Sequence, residues 1–324
     1  MRSRIPVLVL GLLVAGLAAF VVFFEKDLPS TTELRERRGK WLSRFVRERL
    51  TSFTVERAGG RFTLGVRDLP ADDPGLDRWR ITAPFDDDAD DEAVDMLLGA
   101  VEWAVPRRRL AGLDAATRTS LALGRPRATL TLITKQERVV VRLFGEDPRG
   151  EGVYAEVDGE PDLYIVGKDV FEAVDYGADH FRARELFGRF SMHRASVVEW
   201  SEAAARVRAE RRGNAWVLKD GAVETPANGV RIEGILTALD EARIERFVET
   251  APANARHVRI ELGFGRAEHA TTPAFVAFDV GGPCDGYPDE RMVRVGNRTT
   301  GCVPLRFVDV LSRATADDLR ETDD

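Results

Sequence analysis

The residues of this chain whose types could carry chemistry are few: four histidines, two cysteines, one acidic run and one arginine cluster. His180, His193, His257 and His269 show neither the i,i+4 pairing nor the cysteine-rich spacing that gathers ligands on a metal, so no metal centre is expected. The run Asp86 to Glu92, DDDADDE, offers the carboxylate oxygens that hard cations prefer. It lacks the alternating D-x-D-x-D-G loop and terminal Glu of an EF-hand, and carboxylates just ahead of an apolar periodic stretch are what helix capping and the positive helix N-terminus favour. Gly263-Phe264-Gly265 follows a strand pattern without the further glycine and helix start of a nucleotide-binding turn, and reads as a bulge or turn. A G-x-S-x-G elbow, a Walker loop and a related Ser, His and carboxylate set are missing. The sequence therefore points to no catalytic residue, no cofactor and no enzyme. A hydrolase, the remote alternative, would need a polar cleft with strongly perturbed titrating groups.

Arg182, Arg184 and Arg189 crowd one segment, and arginines so grouped can grip phosphate or carboxylate bidentately. They are the candidate contact for an anion or a partner. The competing reading is a solvated helix face paired internally with Glu185 or Asp179. The net charge of −7 argues against a nucleic-acid partner, whose phosphates need a clustered basic surface.

Positioning these residues requires a scaffold, and 324 residues exceed one ordinary domain of about 100–200. With 44% apolar and 31% charged residues the composition is that of a folded protein. An internal repeat organises it. Leu42 to Glu56, LSRFVRERLTSFTVE, aligns without a gap against Phe187 to Ser201, FGRFSMHRASVVEWS, at an offset of 145 (187 − 42). Trp79 in RWRIT then matches Trp216 in NAWVL at 137 (216 − 79), and Val94, Leu97, Leu98 and Val101 match Ile232, Ile235, Leu236 and Leu239 at 138 (232 − 94). The first repeat thus holds the longer loop, around Val66 to Arg78. Trp79 and Trp216 are read as repeat-equivalent core anchors, not as ligand platforms.

Alternation predicts strands over 53–57, 61–66, 79–82, 128–133, 139–144, 153–157 and 163–166, with Ala58, Gly59 and Gly60 as the first hairpin turn. Helical spacing predicts helices over 93–104, 170–176 and 181–187. The second repeat echoes this with strands at 197–201, 205–210, 215–218, 258–262, 274–280 and 291–295 and a helix over 229–243. Such runs predict an α+β fold, two tandem repeats of mainly antiparallel sheet with packed helices behind an N-terminal transmembrane helix. The expected boundaries are an anchor over 1–24, a charged stalk over 25–41, repeat 1 over 42–186, repeat 2 over 187–320 and an acidic tail over 321–324.

The anchor rests on Ile5 to Phe24, IPVLVLGLLVAGLAAFVVFF, 20 residues without a charge and long enough to cross a hydrocarbon core. A cleaved signal peptide is the alternative. The apolar run continues through Phe20 to Phe24, past the small-residue site near Ala18 and Ala19, and this favours an uncleaved span. Arg2 and Arg4 favour a cytoplasmic N-terminus, while Lys26, Arg35, Arg37, Arg38 and Lys40 pull the other way. Because Glu25, Lys26 and Asp27 are mixed and the later arginines alternate with Glu33 and Glu36, the expected topology is N-in. The body then lies outside the cytoplasm, on the bacterial inner membrane. The stretch Glu33 to Arg49 reads either as a basic amphipathic helix on anionic lipid or as a solvated stalk. The only two cysteines, Cys284 and Cys302, fall in the segment placed outside, where oxidising conditions favour a disulfide. Two buried free thiols are the alternative, and the sole one for a cytoplasmic body.

The pattern W-x-I-x-x-P followed by A-D and an apolar helix, carried by Trp79, Ile81, Pro84, Ala89, Asp90, Val94, Leu97 and Leu98, resembles the bacterial family known as domain of unknown function 4340. HFRARELF, His180 to Phe187, is similar to that family's Arg-rich segment. The resemblance implies a single N-terminal membrane helix. Some relatives occur beside gliding-motility-type ABC transporter permeases and their auxiliary subunits, so it also implies an extracytoplasmic accessory role with a membrane permease or auxiliary subunit as partner. No catalytic residue carries over. The function expected is a membrane-anchored, non-catalytic accessory or interaction protein, with a self-associating envelope scaffold as the alternative.

Overall fold

The computed structural model of the chain describes residues 32, 35, 37, 39–43, 45–67, 78–121, 123–187, 192–202, 205–220, 223–262, 275–296, 298–313 and 317–320. The apolar run 5–24, the Gly263 to Gly265 turn, Arg189, His269 and the tail 321–324 lie outside them. Among the described residues no helix is long and apolar enough to cross a membrane.

In chain order the first set of elements is β1 (Leu50–Arg57), β2 (Gly60–Val66), β3 (Trp79–Ala83), β4 (Asp87–Asp88), α1 (Asp91–Trp103), β5 (Arg108–Leu110), α2 (Ala115–Ser120), β6 (Ala128–Thr134), β7 (Arg138–Glu146), β8 (Val153–Val157), β9 (Leu163–Val166) and α3 (Lys168–Asp175). The second is β10 (Ala195–Glu202), β11 (Ala205–Arg212), β12 (Ala215–Asp220), β13 (Val223–Pro226), α4 (Gly229–Asp240), β14 (Arg246–Val248), β15 (Arg256–Leu262), β16 (Phe275–Cys284), β17 (Tyr287–Val295), β18 (Thr300–Pro304) and α5 (Leu305–Arg313). The fold is mixed α+β and mostly sheet. Two nine-stranded antiparallel sheets run in the orders β4-β3-β2-β1-β6-β7-β8-β9-β5 and β13-β12-β11-β10-β15-β16-β17-β18-β14. These are one order used twice, each strand of the first sheet standing where the strand nine later stands in the second. Trp79 lies on β3 and Trp216 on β12, the same place in each order. α1 follows β4 as α4 follows β13, and α3 follows β9 as α5 follows β18.

By contacts the chain divides into two compact units, residues 1–63 with 95–177 and residues 64–94 with 178–324. In the first, β1 pairs with β6 in antiparallel register, Phe53 opposite Leu132 and Val55 opposite Leu130, all four buried. The turn between β1 and β2 depends on Gly60, whose φ of 128° suits a residue without a Cβ. The end of the segment read as a stalk is packed, not solvated. Trp41 is buried and its Nε1 donates to the Val101 carbonyl at 2.7 Å, while Arg37 meets the buried Glu102 carboxylate at 2.6 Å. The charge of Arg37 serves internal pairing, which alternation alone does not reveal.

In the second unit, Trp200, Trp216, Leu236, Ile260, Phe278, Val303 and Val308 belong to one continuous core. Phe187 meets Phe278 edge to face at 4.9 Å between ring centroids. α4 starts where Asn228 Oδ1 accepts from the Arg231 N–H, and it buries Ile232, Ile235, Leu236 and Leu239 along one face. The helix expected over 181–187 does not form. A 3₁₀ turn, Ala178–Phe181, gives way to extended chain in which Arg182 bridges to Ala89 and Glu185 to Arg243. Ala183 N–H donates to the Asp88 carbonyl, Leu186 N–H to the Ala242 carbonyl, and Arg184 C=O accepts from Ile244. Backbone groups satisfied on both sides leave nothing for a helix to improve.

Candidate functional site

The site grows from Asp87, on the two-residue strand β4 and 0% exposed. Its Oδ2 accepts from Arg182 Nε at 3.0 Å and Nη2 at 2.8 Å, and its Oδ1 from Arg298 Nε at 3.1 Å and the Asp88 N–H at 2.9 Å. A buried carboxylate gripped by two guanidinium groups is the arrangement under which buried charge is tolerated. Arg298 also donates to the carbonyls of Ala183 at 2.7 Å, Glu185 at 3.2 Å and Leu186 at 3.3 Å, tying the 182–186 segment to the turn after β17. Asp88 takes Arg67, and Arg80 at 3.3 Å; Asp86 takes Arg80. Asp90 caps α1, accepting from Glu92 and Ala93, and Asp91 accepts from the Arg78 and Trp79 N–H groups. The acidic run is therefore a cap at its end and a set of arginine counterions at its start.

Beside this network lies a cleft of about 370 Å³, lined by Phe85, Asp179, Arg182, Arg184, Phe247 and Thr299, and by Arg246, Val248 and Glu249. Arg182 stacks between two rings there, 3.4 Å from the Phe247 centroid and 4.4 Å from that of Phe85, and also bonds Asp179 at 3.1 Å. Arg184 is exposed, and its Nη1 donates to the main-chain carbonyls of Ile244 at 3.1 Å and Glu245 at 2.9 Å. Arg246 stacks on Tyr287 at 3.5 Å and pairs with Glu290 at 2.8 Å, with its buried Nε lacking an acceptor among the described residues. The His180 imidazole is held below its usual pKa chiefly by burial, Asp90 opposing and Arg184 adding to the effect.

Of the residues singled out from the sequence, Arg182 and Arg184 converge on this cleft and Arg189 lies outside the described residues. Trp79 and Trp216 are buried, and Trp216 Nε1 donates to Glu233 at 2.8 Å. Cys284 and Cys302 are joined by a disulfide that ties the end of β16 to β18. The Glu290 carboxylate lies within 4.8 Å of both sulfurs, but bonded sulfurs offer no thiolate to a metal. His193 and His257 each meet their own carboxylate, Asp240 at 3.5 Å and Asp279 at 2.8 Å. Asp87 reads from the sequence only as one carboxylate of the acidic run, and Arg246, Phe247 and Arg298 are not singled out there at all, since their partners are remote in the chain.

A family described as "Domain of unknown function (DUF4340)" matches residues 79–259, a stretch that holds Asp87, Arg182, Arg184, Arg246 and Phe247. No curated protein and no solved structure matches the chain.

Proposed function

Since the chain belongs to the family of domain of unknown function 4340, matched over 181 (259 − 79 + 1) of its 324 residues, we propose that it works as a binding protein. In this reading it is a membrane-anchored, extracytoplasmic accessory subunit of an ABC-transporter-like or gliding-type envelope complex, and it performs no catalysis. The cleft at β14 is the observation that carries the reading. It combines a sheet edge, aromatic walls and an arginine locked in place by main-chain carbonyls, the elements of a preorganised recognition surface. Two further features support it. The uncharged run 5–24 has the length of a membrane anchor, and the Cys284–Cys302 disulfide suits an oxidising compartment.

Crosslinking and affinity purification of the full-length protein from native membranes tests it. A membrane permease or its auxiliary subunit should co-purify, and should be lost when the 1–24 segment is replaced by a cleavable export signal. Recovery of only further copies of the chain would overturn the accessory reading in favour of a self-associating scaffold.

A further inference from the structure

We infer that the cleft receives a carboxylate borne on an extended peptide segment of a partner protein, with Arg184 as the group that meets it; this deepens, and rests on, the accessory-protein reading above.

Charge matching selects the ligand. Arg182 is answered by Asp87 and Asp179, Arg298 by Asp87 and Asp88, and Arg246 by Glu290. Arg184 bonds the carbonyls of Ile244 and Glu245 through Nη1 and leaves the rest of its exposed guanidinium facing the cleft. Those acceptors are neutral, so they orient the cation without cancelling it. Asp179 and Glu249 share the same lining. Among the described residues Arg184 is the one cation of the lining without a carboxylate partner, which suits a single negative charge, and a phosphate dianion would meet repulsion from Glu249 on the same lining.

The sheet edge selects the carrier. β14 ends its sheet, pairing with β18 through Arg246 opposite Cys302, Phe247 opposite Gly301 and Val248 opposite Thr300. Among the described residues no strand pairs with its other side. Successive strand side chains point to opposite faces, yet Arg246, Phe247 and Val248 all line the cleft, so the cleft runs along the edge of the strand and not over one face. An extended segment laid there bonds the β14 main chain, packs one side chain against Phe85 and Phe247, and sets an Asp or Glu against Arg184. The volume, about 370 Å³, holds a few side chains and no folded domain.

The test places a photoreactive benzophenone amino acid at Val248 in the full-length protein and irradiates native membranes, with the adduct mapped by mass spectrometry. The expected adduct lies in a partner protein within a few residues of an Asp or Glu, and Arg184→Gln lowers its yield about tenfold, as loss of one charge-assisted bond implies. Gln keeps a donor for the two carbonyls, and an unchanged unfolding midpoint of the variant separates lost recognition from lost folding. An adduct to lipid, an adduct far from any acidic residue, no adduct, or a yield that Arg184→Gln leaves unchanged would each overturn the inference. A permease that still co-purifies in those cases leaves the accessory reading standing. An acidic adduct within a second copy of the chain keeps the carboxylate site and replaces the accessory reading with the scaffold.

Discussion

Asp87 shows how much one buried carboxylate can organise. Two arginines, 95 and 211 residues further along the chain, close on it, and both are themselves largely buried. Asp87→Ala would leave those cations without their shared counterion, at an expected cost of about 3–5 kcal/mol in urea unfolding. A loss under about 1 kcal/mol would mean that the arginines find water or Asp88 instead. From the sequence Asp87 is indistinguishable from its acidic neighbours, because pairing over such separations leaves no local pattern. Arg182 and Arg184 could be picked out by their crowding, but not their different roles at the cleft: Arg182 is buried and paired with Asp87, whereas Arg184 is exposed and bonds main-chain carbonyls. Glu210 gives a pH-dependent case. A hydrogen bond from Arg208, with Lys219 adding and burial opposing, holds its carboxyl below the usual carboxylate range. A depressed folded pKa contributes stability above the unfolded value of about 4.3 and loses it as pH falls through the folded value. Glu210→Gln should therefore remove part of the acid limb of stability below about pH 4.3 and leave the slope above about pH 5 unchanged. Urea midpoints measured across that range decide it, and parallel acid limbs in the two proteins would refute it.

Strands with four or more alternating residues were readable along the chain, and β8 and β9 fall where alternation put them. The edge strands β4, β5, β13 and β14 were not, because two or three residues give alternation too little to repeat, and β13, VETP, carries one apolar residue ahead of a proline. β18, TGCVP, carries no alternation and was not expected either, and with it the setting of the disulfide stayed unread. Cys284 and Cys302 close a loop with a sequence separation of 18, for which chain entropy alone implies roughly 3 kcal/mol. Reduction should lower stability by about that amount, a large share of an ordinary 5–15 kcal/mol, and identical unfolding curves with and without reductant would contradict it. Gly301 on β18 is the other constraint on the β14 edge. A Cβ there would stand 2.6 Å from Ile244 Cγ1 and 2.8 Å from its Cδ1 and Cγ2. Gly301→Ala should therefore cost about 1–3 kcal/mol and loosen β14, seen as faster hydrogen exchange at Phe247 and Val248. Unaltered exchange would show that Ile244 yields without moving the strand.

Over the whole chain the doubled strand order agrees with the repeat found in the sequence, whereas the compact units do not follow the repeat boundaries. Residues 64–94 join the unit formed by 178–324, and 95–177 join residues 1–63. Matching of short motifs detects common descent of strands and is blind to which contacts dominate. The proposed topology makes its own demand. A Thr31→Cys variant, with Cys284 and Cys302 left paired, should react with a membrane-impermeant maleimide once the outer side of the inner membrane is accessible. Protection until the cytoplasm is opened would reverse the orientation. Because neither unit is a continuous stretch of chain, order of synthesis matters. Asp87 is translated 211 residues before Arg298, which at roughly 5–20 residues per second is an interval on the order of 10–40 s. For that interval Asp87 lacks one of its two arginines, and the unit to which Trp79 and Ile81 belong is incomplete. Nascent chains stalled before residue 298 should be cut by protease within 78–94, and chains extended past the last helix should resist there. The time of greatest exposure for this protein is therefore its own synthesis, before the later residues that complete the unit of Trp79 and Ile81 have been made.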